Sequence, residues 1–176
     1  MSVTASKGFL ASGVAAGIRR RDRKDLAIVR SVPRAVGAAM FTRNSVQAAC
    51  LQVTRGHLEL ADPQAVVINS GVANAATGER GKLDALATAA EAGRLLGLDA
   101  EEVLVLSTGV IGARLPLHKL LPGLDPAAAA LSVSGGADAA EAIMTTDTRA
   151  KEAVVSRGGF TIGGMTKGSG MIHPDL

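Results

Sequence analysis

Short apolar runs of strand length, each set between chain-breaking or small polar residues, constrain this chain more than any other feature. They are Leu26–Val29, Val36–Phe41, Ala65–Asn69, Val103–Ser107 and Phe160–Ile162, most of them bounded by Gly, Pro, Asn, Asp or Ser. Runs this brief fit strands better than helices. One segment reads differently. In Lys82–Leu96 the apolar positions Leu83, Leu86, Ala90, Gly93 and Leu96 follow a helical period, and Gly97 sits where a left-handed cap belongs. A second helix is expected from Ala137 to about Met144, after the Gly135-Gly136 break, and Ala127–Leu131 adds a turn or two. Strands and helices do not alternate cleanly, so the expected class is α/β, layered on a mixed sheet. Ser132–Gly136 reads as loop. Nothing marks an internal boundary, and residues 1–176 are expected to form a single domain.

The core of such a fold must be aliphatic, because the chain has no Trp or Tyr and only three Phe. A chain of 176 residues buries roughly 70% of its unfolded surface, and 47% hydrophobic residues with 20% charged suit a globular protein rather than a disordered one. The formal net charge is only +3, and basic residues concentrate in Arg19-Arg20-Arg21-Asp22-Arg23-Lys24. Such a run can bind phosphate or nucleic acid. No aromatic residue interleaves it and Asp22 interrupts it, so a solvated loop is the expectation. The single Cys50 has no disulfide partner within the chain, which fits a reducing compartment. Residues 1–24 lack the order of a signal peptide. No apolar stretch reaches the roughly 18 residues of a membrane span. A cytoplasmic protein is expected.

Several constellations bear chemistry, each beside a plainer reading. Ser107-Thr108-Gly109 closes the run Val103–Leu106, placing a hydroxyl and a backbone N–H at the sheet rim. Two such donors suit an oxyanion, but a strand-to-loop turn has the same sequence. Gly163-Gly164-Met165-Thr166-Lys167-Gly168-Ser169-Gly170 fits neither the Walker nor the dinucleotide pattern. Its Lys167 suits a substrate carboxylate or a mobile surface loop. Thr145-Thr146-Asp147-Thr148 closes the second helix and either lines a polar pocket or caps the helix. Asn69-Ser70-Gly71-Val72-Ala73-Asn74-Ala75 follows a strand and either admits ligand or turns the chain. Arg43, in Phe41-Thr42-Arg43-Asn44, pairs with a carboxylate or sits in solvent. His57, His118 and His173 lie far apart with no Cys or His at ligand spacing, so no metal site is expected. There are donors and a cation, but no evident activated nucleophile. The apolar end Met171–Leu176 is unlike a frayed terminus and suggests that something follows it.

In order along the chain stand Gly8-Phe9 through Gly13-Val14, Asp25-Leu26-Ala27, Phe41-Thr42-Arg43-Asn44 and Asn69-Ser70-Gly71-x-Ala73-Asn74-Ala75. There follow Ser107-Thr108-Gly109-Val110-Ile111-Gly112, Ala142-Ile143-Met144-Thr145-Thr146-Asp147 and Gly163-Gly164-x-x-Lys167-Gly168-Ser169-Gly170-Met171-Ile172-His173-Pro174. Together they resemble the bifunctional ornithine acetyltransferase/glutamate N-acetyltransferase family of arginine biosynthesis from end to end. The resemblance implies the N-terminal, or α, chain of a self-cleaved precursor. Its fold is a layered mixed sheet of the aminopeptidase-like, N-terminal-threonine type, completed by a β chain in an α2β2 assembly. Cleavage at an Ala-Thr bond would fall one residue past Leu176.

The activity implied is transfer of an acetyl group from N-acetylornithine to glutamate through an acetyl-threonine intermediate. The nucleophile is the first threonine of the β chain. Thr108 (side chain) and Gly109 (backbone N–H) would form the oxyanion hole. Thr145, Thr146 and Lys167 match substrate-binding positions, one of the two threonines making the contact. No cofactor is tightly bound, and acetyl-CoA enters only as an alternative acetyl donor. No nucleic acid and no membrane is expected as partner. The competing readings are a one-reaction paralogue limited to ornithine–glutamate exchange or a secondary pathway, and a non-catalytic α/β binding subunit.

Overall fold

The computed structural model describes residues 2–19, 22–171 and 175–176. Arg20, Arg21 and the Ile172-His173-Pro174 part of the last motif lie outside the described residues. In chain order the elements are β1 (Phe9–Val14), β2 (Leu26–Ser31), α1 (Ala49–Leu60), β3 (Ala65–Val72), α2 (Gly78–Leu96), a single 3-10 turn (Ala100–Glu102), β4 (Val103–Val110), α3 (Leu117–Ala129), α4 (Gly136–Ala142), β5 (Lys151–Arg157) and β6 (Phe160–Thr166). The first four strands form one sheet in the order β1-β2-β3-β4. The pairs β1/β2 and β2/β3 are antiparallel and β3/β4 is parallel, with α2 in the crossover, so the sheet is mixed as expected. Strands β5 and β6 form a separate antiparallel ribbon.

Side chains alternate across the sheet, and each face has its own cover. Leu26, Ile28, Val67, Val103 and Val105 point into the larger core with α1, α2 and α3, where Leu120 and Leu124 are fully buried. Ala11 and Ala27 point the other way, against Ala139, Ala142 and Ile143 at α4, with Val29, Ile68 and Met165 of β6 at the margin. The small residues at Ala11 and Ala27 let α4 lie close to the sheet. Between this thin layer and the end of β4 lies the gap that the site below uses.

Three sequence expectations change. Val36–Phe41 is not a strand: it runs as irregular chain with Val36 and Met40 exposed. The Gln64 side chain takes both polar groups of Ala35, and among the described residues no strand pairs with the run. Helix α2 is present and ends at a left-handed Gly97, φ 66°, but its buried stripe is Ala85, Thr88, Ala89, Ala92 and Leu96, while Leu83 and Leu86 face outward. Small residues allow α1 and α3 to approach it, and of the leucines chosen by period only Leu96 lies on that stripe. Helix α3 extends far beyond the Ala127–Leu131 turn, from Leu117. Pro122 and Pro126 hide it in the sequence, and Leu120, Leu124 and Ala127 hold it by burial.

Strand β4 is the edge of the sheet, and α1 closes it. The Thr54 hydroxyl donates to the Val105 carbonyl at 2.8 Å and accepts from the Val105 N–H at 3.1 Å, and the His57 ring meets the Val103 carbonyl at 2.8 Å. His57 is therefore a satisfied core histidine. Cys50, on the same helix, is buried, and burial pushes its thiol up, away from the thiolate a nucleophile needs. Thr54→Val keeps the shape of the side chain but strands both Val105 groups. We expect the full-length protein to lose about 1–3 kcal/mol, read as a shifted urea midpoint at unchanged slope. An unshifted midpoint would show that water satisfies this edge instead.

Candidate active site

Parallel pairing sets Asn69 beside Ser107, Ser70 beside Thr108 and Gly71 beside Gly109. The two small-residue motifs are thus one structure, the adjoining ends of β3 and β4. On one face Ser107 donates to the Asn69 amide oxygen at 2.6 Å, and the Asn69 NH2 donates to the Val72 carbonyl at 2.9 Å. The other face carries Ile68, Leu106 and Thr108 toward β6. There Ile68, Leu106, Ser107, Thr108, Ile143, Met165, Thr166 and Lys167 line a mostly apolar cavity of about 290 Å³. The Lys167 ammonium donates to the Thr108 hydroxyl at 2.8 Å.

Gly109 stands next to Thr108 at the open end, with φ 138°. Its α-carbon faces the partner strand so closely that an added Cβ would lie 2.2 Å from the Gly71 carbonyl carbon. Only glycine fits.

Of the residues singled out in the sequence, the fold brings Thr108, Gly109 and Lys167 together. It keeps Thr145 and Thr146 off the cavity lining. They sit in the turn after α4, where the Thr146 hydroxyl reaches Ser169 at 3.2 Å. Arg43 pairs with Asp175. The solvated-loop expectation for Arg19–Lys24 needs correction at both ends. The Arg19 guanidinium donates to the carbonyls of Met144 at 2.8 Å and Thr145 at 3.2 Å. Lys24 bridges Asp138 at 2.5 Å and Glu141 at 2.9 Å. Fully buried Asp25 fixes this approach by accepting from the Ala16 and Arg19 N–H groups at 2.7 and 2.8 Å. Arg19 thus ties the β1–β2 loop to the threonine turn, a role no local pattern signals.

Asp147 was legible only as a member of that turn. Its carboxylate is enclosed, and Lys151, the main cause, holds it well below the usual carboxylate range; enclosure opposes this, and the Gly168 and Thr145 N–H groups add to it. A depressed folded value stabilises the protein fully above the unfolded value of 3.8, and that stabilisation is lost as pH falls toward the folded value. The melting-temperature gap between the full-length parent and Asp147→Asn should hold from about pH 8 to about pH 5 and shrink only below about pH 4. A gap that closes between neutrality and pH 5 would contradict the assignment. Among the described residues no helix is long and apolar enough to cross a membrane, and no group of three His, Cys, Asp or Glu gathers as a metal site would need.

Two solved structures show the fold to be of the ornithine acetyltransferase type. The solved ornithine acetyltransferase from Mycobacterium tuberculosis, determined with ornithine, superposes with a TM-score of 0.95 at 43% identity, over 98% of this chain and 94% of that one. An arginine biosynthesis bifunctional protein from Bacillus halodurans gives a TM-score of 0.87 at 40% identity, over 99% of this chain and 93% of that one. The model of the ArgJ family matches residues 10–176. The chain belongs to the ArgJ family. An arginine biosynthesis bifunctional protein ArgJ from Streptomyces coelicolor is 51% identical over 100% of this chain and 46% of its own length. One from Prochlorococcus marinus is 51% identical over 99% of this chain and 42% of its own. The chain spans about half the length of the curated relatives it matches.

Proposed function

We propose that this chain is the α part of a self-cleaved N-acetyltransferase of arginine biosynthesis, moving an acetyl group from N-acetylornithine to glutamate. The observation that carries the reading is the Thr108–Lys167 pair beside Gly109 at the cavity mouth. A hydroxyl and a backbone N–H suit a developing oxyanion. A lysine has three protons, so one can rest on Thr108 while the others meet a substrate α-carboxylate. The Mycobacterium tuberculosis structure, an ornithine acetyltransferase complexed with ornithine, supports the ornithine side of this reading, and the relatives' names support arginine biosynthesis.

In this reading the nucleophile is the threonine that opens the β chain, with its own α-amine as base. It attacks the acetyl carbonyl, ornithine leaves with the proton, and the amine of glutamate then takes the acetyl group. Thr108 and Gly109 hold the oxyanion, Lys167 holds substrate, and one of Thr145 and Thr146 adds a contact from the turn. The α and β chains assemble as α2β2 in the cytoplasm, with small molecules as substrates and no tightly bound cofactor.

The test uses the full-length protein with N-acetylornithine and glutamate. We expect N-acetylglutamate to form, and the chain that opens with threonine to gain one acetyl group when glutamate is withheld. No transfer and no mass change would overturn the reading. Replacing N-acetylornithine by acetyl-CoA separates a bifunctional enzyme from a one-reaction relative. Lys167→Met should raise KM about ten- to a hundredfold, the worth of a charge-assisted hydrogen bond, and should lower kcat as well because Thr108 loses its donor. Unchanged constants would return Lys167 to a loop lysine.

A further inference from the structure

Asp147 has more partners than helix capping requires. Its side chain is enclosed. One oxygen accepts from the Lys151 ammonium at 2.5 Å and from the Gly168 N–H at 2.7 Å, and the other accepts from the Thr145 N–H at 3.1 Å. Gly168 directly follows Lys167. This one carboxylate therefore ties the threonine turn, the start of β5 and the lysine loop together. Among the described residues the loop has few other ties besides the Lys167–Thr108 bond. Gly168 has φ 139° with open space around it, Gly170 has φ 79°, and the Ser169 hydroxyl contact is a long 3.2 Å.

The Lys167 ammonium carries donors only. When it meets the Thr108 hydroxyl at 2.8 Å, the hydroxyl must accept. The Thr108 proton is then turned away from Lys167. Where the ammonium sits therefore bears on where Thr108 offers that proton, and the Gly168 amide held by Asp147 is the next peptide along the chain from Lys167.

We propose that Asp147 is a positioning residue for acetyl transfer: by gripping the Gly168 amide it seats Lys167 on Thr108 and so aims the Thr108 proton at the acyl oxygen. The proposal rests on the acetyl-transfer reading above. Asp147 touches no reacting atom; it acts through Lys167.

The test is a double-mutant cycle in the full-length protein with Asp147→Asn, Lys167→Met and both together. Asparagine keeps the volume of aspartate but puts an NH2 donor against either the Thr145 N–H or the Gly168 and Lys151 donors. We expect Asp147→Asn to lower kcat about 10- to 100-fold, the size of one charge-assisted hydrogen bond, with a smaller change in KM. In the Lys167→Met background the same substitution should cost no more than about twofold, because residues acting through one another are not additive. A purely structural residue would lower both backgrounds alike. Amide exchange supplies a readout independent of activity: protection across residues 165–170 should fall in Asp147→Asn while the β1–β4 sheet stays protected. Should Asp147→Asn fail to fold, Asp147→Ser, too short to span both amides, takes its place. A kcat within about twofold of the parent, full cost in the Lys167→Met background, or unchanged exchange at 165–170 would overturn the proposal. A parent that transfers no acetyl group, with exchange raised at 165–170, would instead sink the acetyl-transfer reading and leave the anchoring role of Asp147 in place.

Discussion

Gly109→Ala in the full-length protein is expected to remove nearly all acetyl transfer, a loss on the order of 1000-fold or more in kcat. The methyl would lie 2.2 Å from the Gly71 carbonyl carbon, 2.4 Å from its oxygen and 2.6 Å from the Val72 nitrogen. All three are backbone atoms held in the β3–β4 ladder, so no side chain can swing aside. The φ of 138° adds strain for any residue with a Cβ, of order 1–3 kcal/mol. Relief requires the ends of β3 and β4 to part. That moves the Gly109 N–H and, one residue back, the Thr108 hydroxyl. Losing one such donor typically costs about 100–1000-fold, and here both shift at once. Melting temperature should fall, but the core lies along the other end of these strands and folding should survive. The check is kcat with N-acetylornithine and glutamate on protein shown to be folded. A folded Gly109→Ala enzyme with kcat within about tenfold of the parent would mean that this N–H does not serve the reaction.

The sheet was legible where apolar runs were clean and bounded. Leu26–Val29, Ala65–Asn69 and Val103–Ser107 lie within strands as the sequence suggested, each extended past polar or small residues, Arg30-Ser31, Ser70-Gly71 and Thr108-Gly109, that interrupt the apolar run. Strand β5, with Lys151, Glu152, Ser156 and Arg157, has too few apolar residues to signal itself. Its ladder to β6 makes it a strand. Helix α1 was missed because Thr54 and His57, its polar buried residues, face the sheet edge rather than an apolar core. The buried stripe of α2 was misplaced for a related reason. Alanine and threonine win burial where neighbours must come close, and leucine wins it only where there is room.

For the site, residue types alone left Thr108 and Gly109 open between an oxyanion site and a turn, and Lys167 open between a substrate contact and a surface loop; only the family resemblance gave them roles. The bond between Lys167 and Thr108 was not legible, since 59 residues separate them and only the seating of β6 against the sheet brings them together. Asp147 and Arg19 were less legible still. Each acts by gripping backbone amides or carbonyls, and a partner that is backbone leaves no trace in residue type.

Thr108→Val should lower kcat on the order of 100–1000-fold, about 3–4 kcal/mol, while KM moves little. Negative charge on the acetyl oxygen grows only as the nucleophile attacks, so a donor aimed there acts on the transition state and not on bound substrate. Valine keeps the β-branched shape and removes the hydroxyl alone. Packing against Ile68 and Leu106 should therefore persist, and melting temperature should stay close to the parent's. The hydroxyl also accepts from Lys167 at 2.8 Å. Its loss frees that ammonium, which can still reach a substrate carboxylate, and this is a second reason for a small change in KM. The Gly109 N–H remains, so activity should be reduced and not abolished. Self-cleavage also passes through a tetrahedral oxyanion, but on a different carbonyl, and the variant should still yield two chains. Comparison with Lys167→Met separates the two partners: if Lys167 serves kcat only by aiming Thr108, Lys167→Met in the Thr108→Val background should lower kcat no more than about twofold further. The measurement is kcat and KM on protein whose cleavage and melting have been confirmed. A folded, cleaved Thr108→Val enzyme with kcat within about threefold of the parent would remove Thr108 from the oxyanion hole and leave it a strand-end residue that happens to hold a lysine.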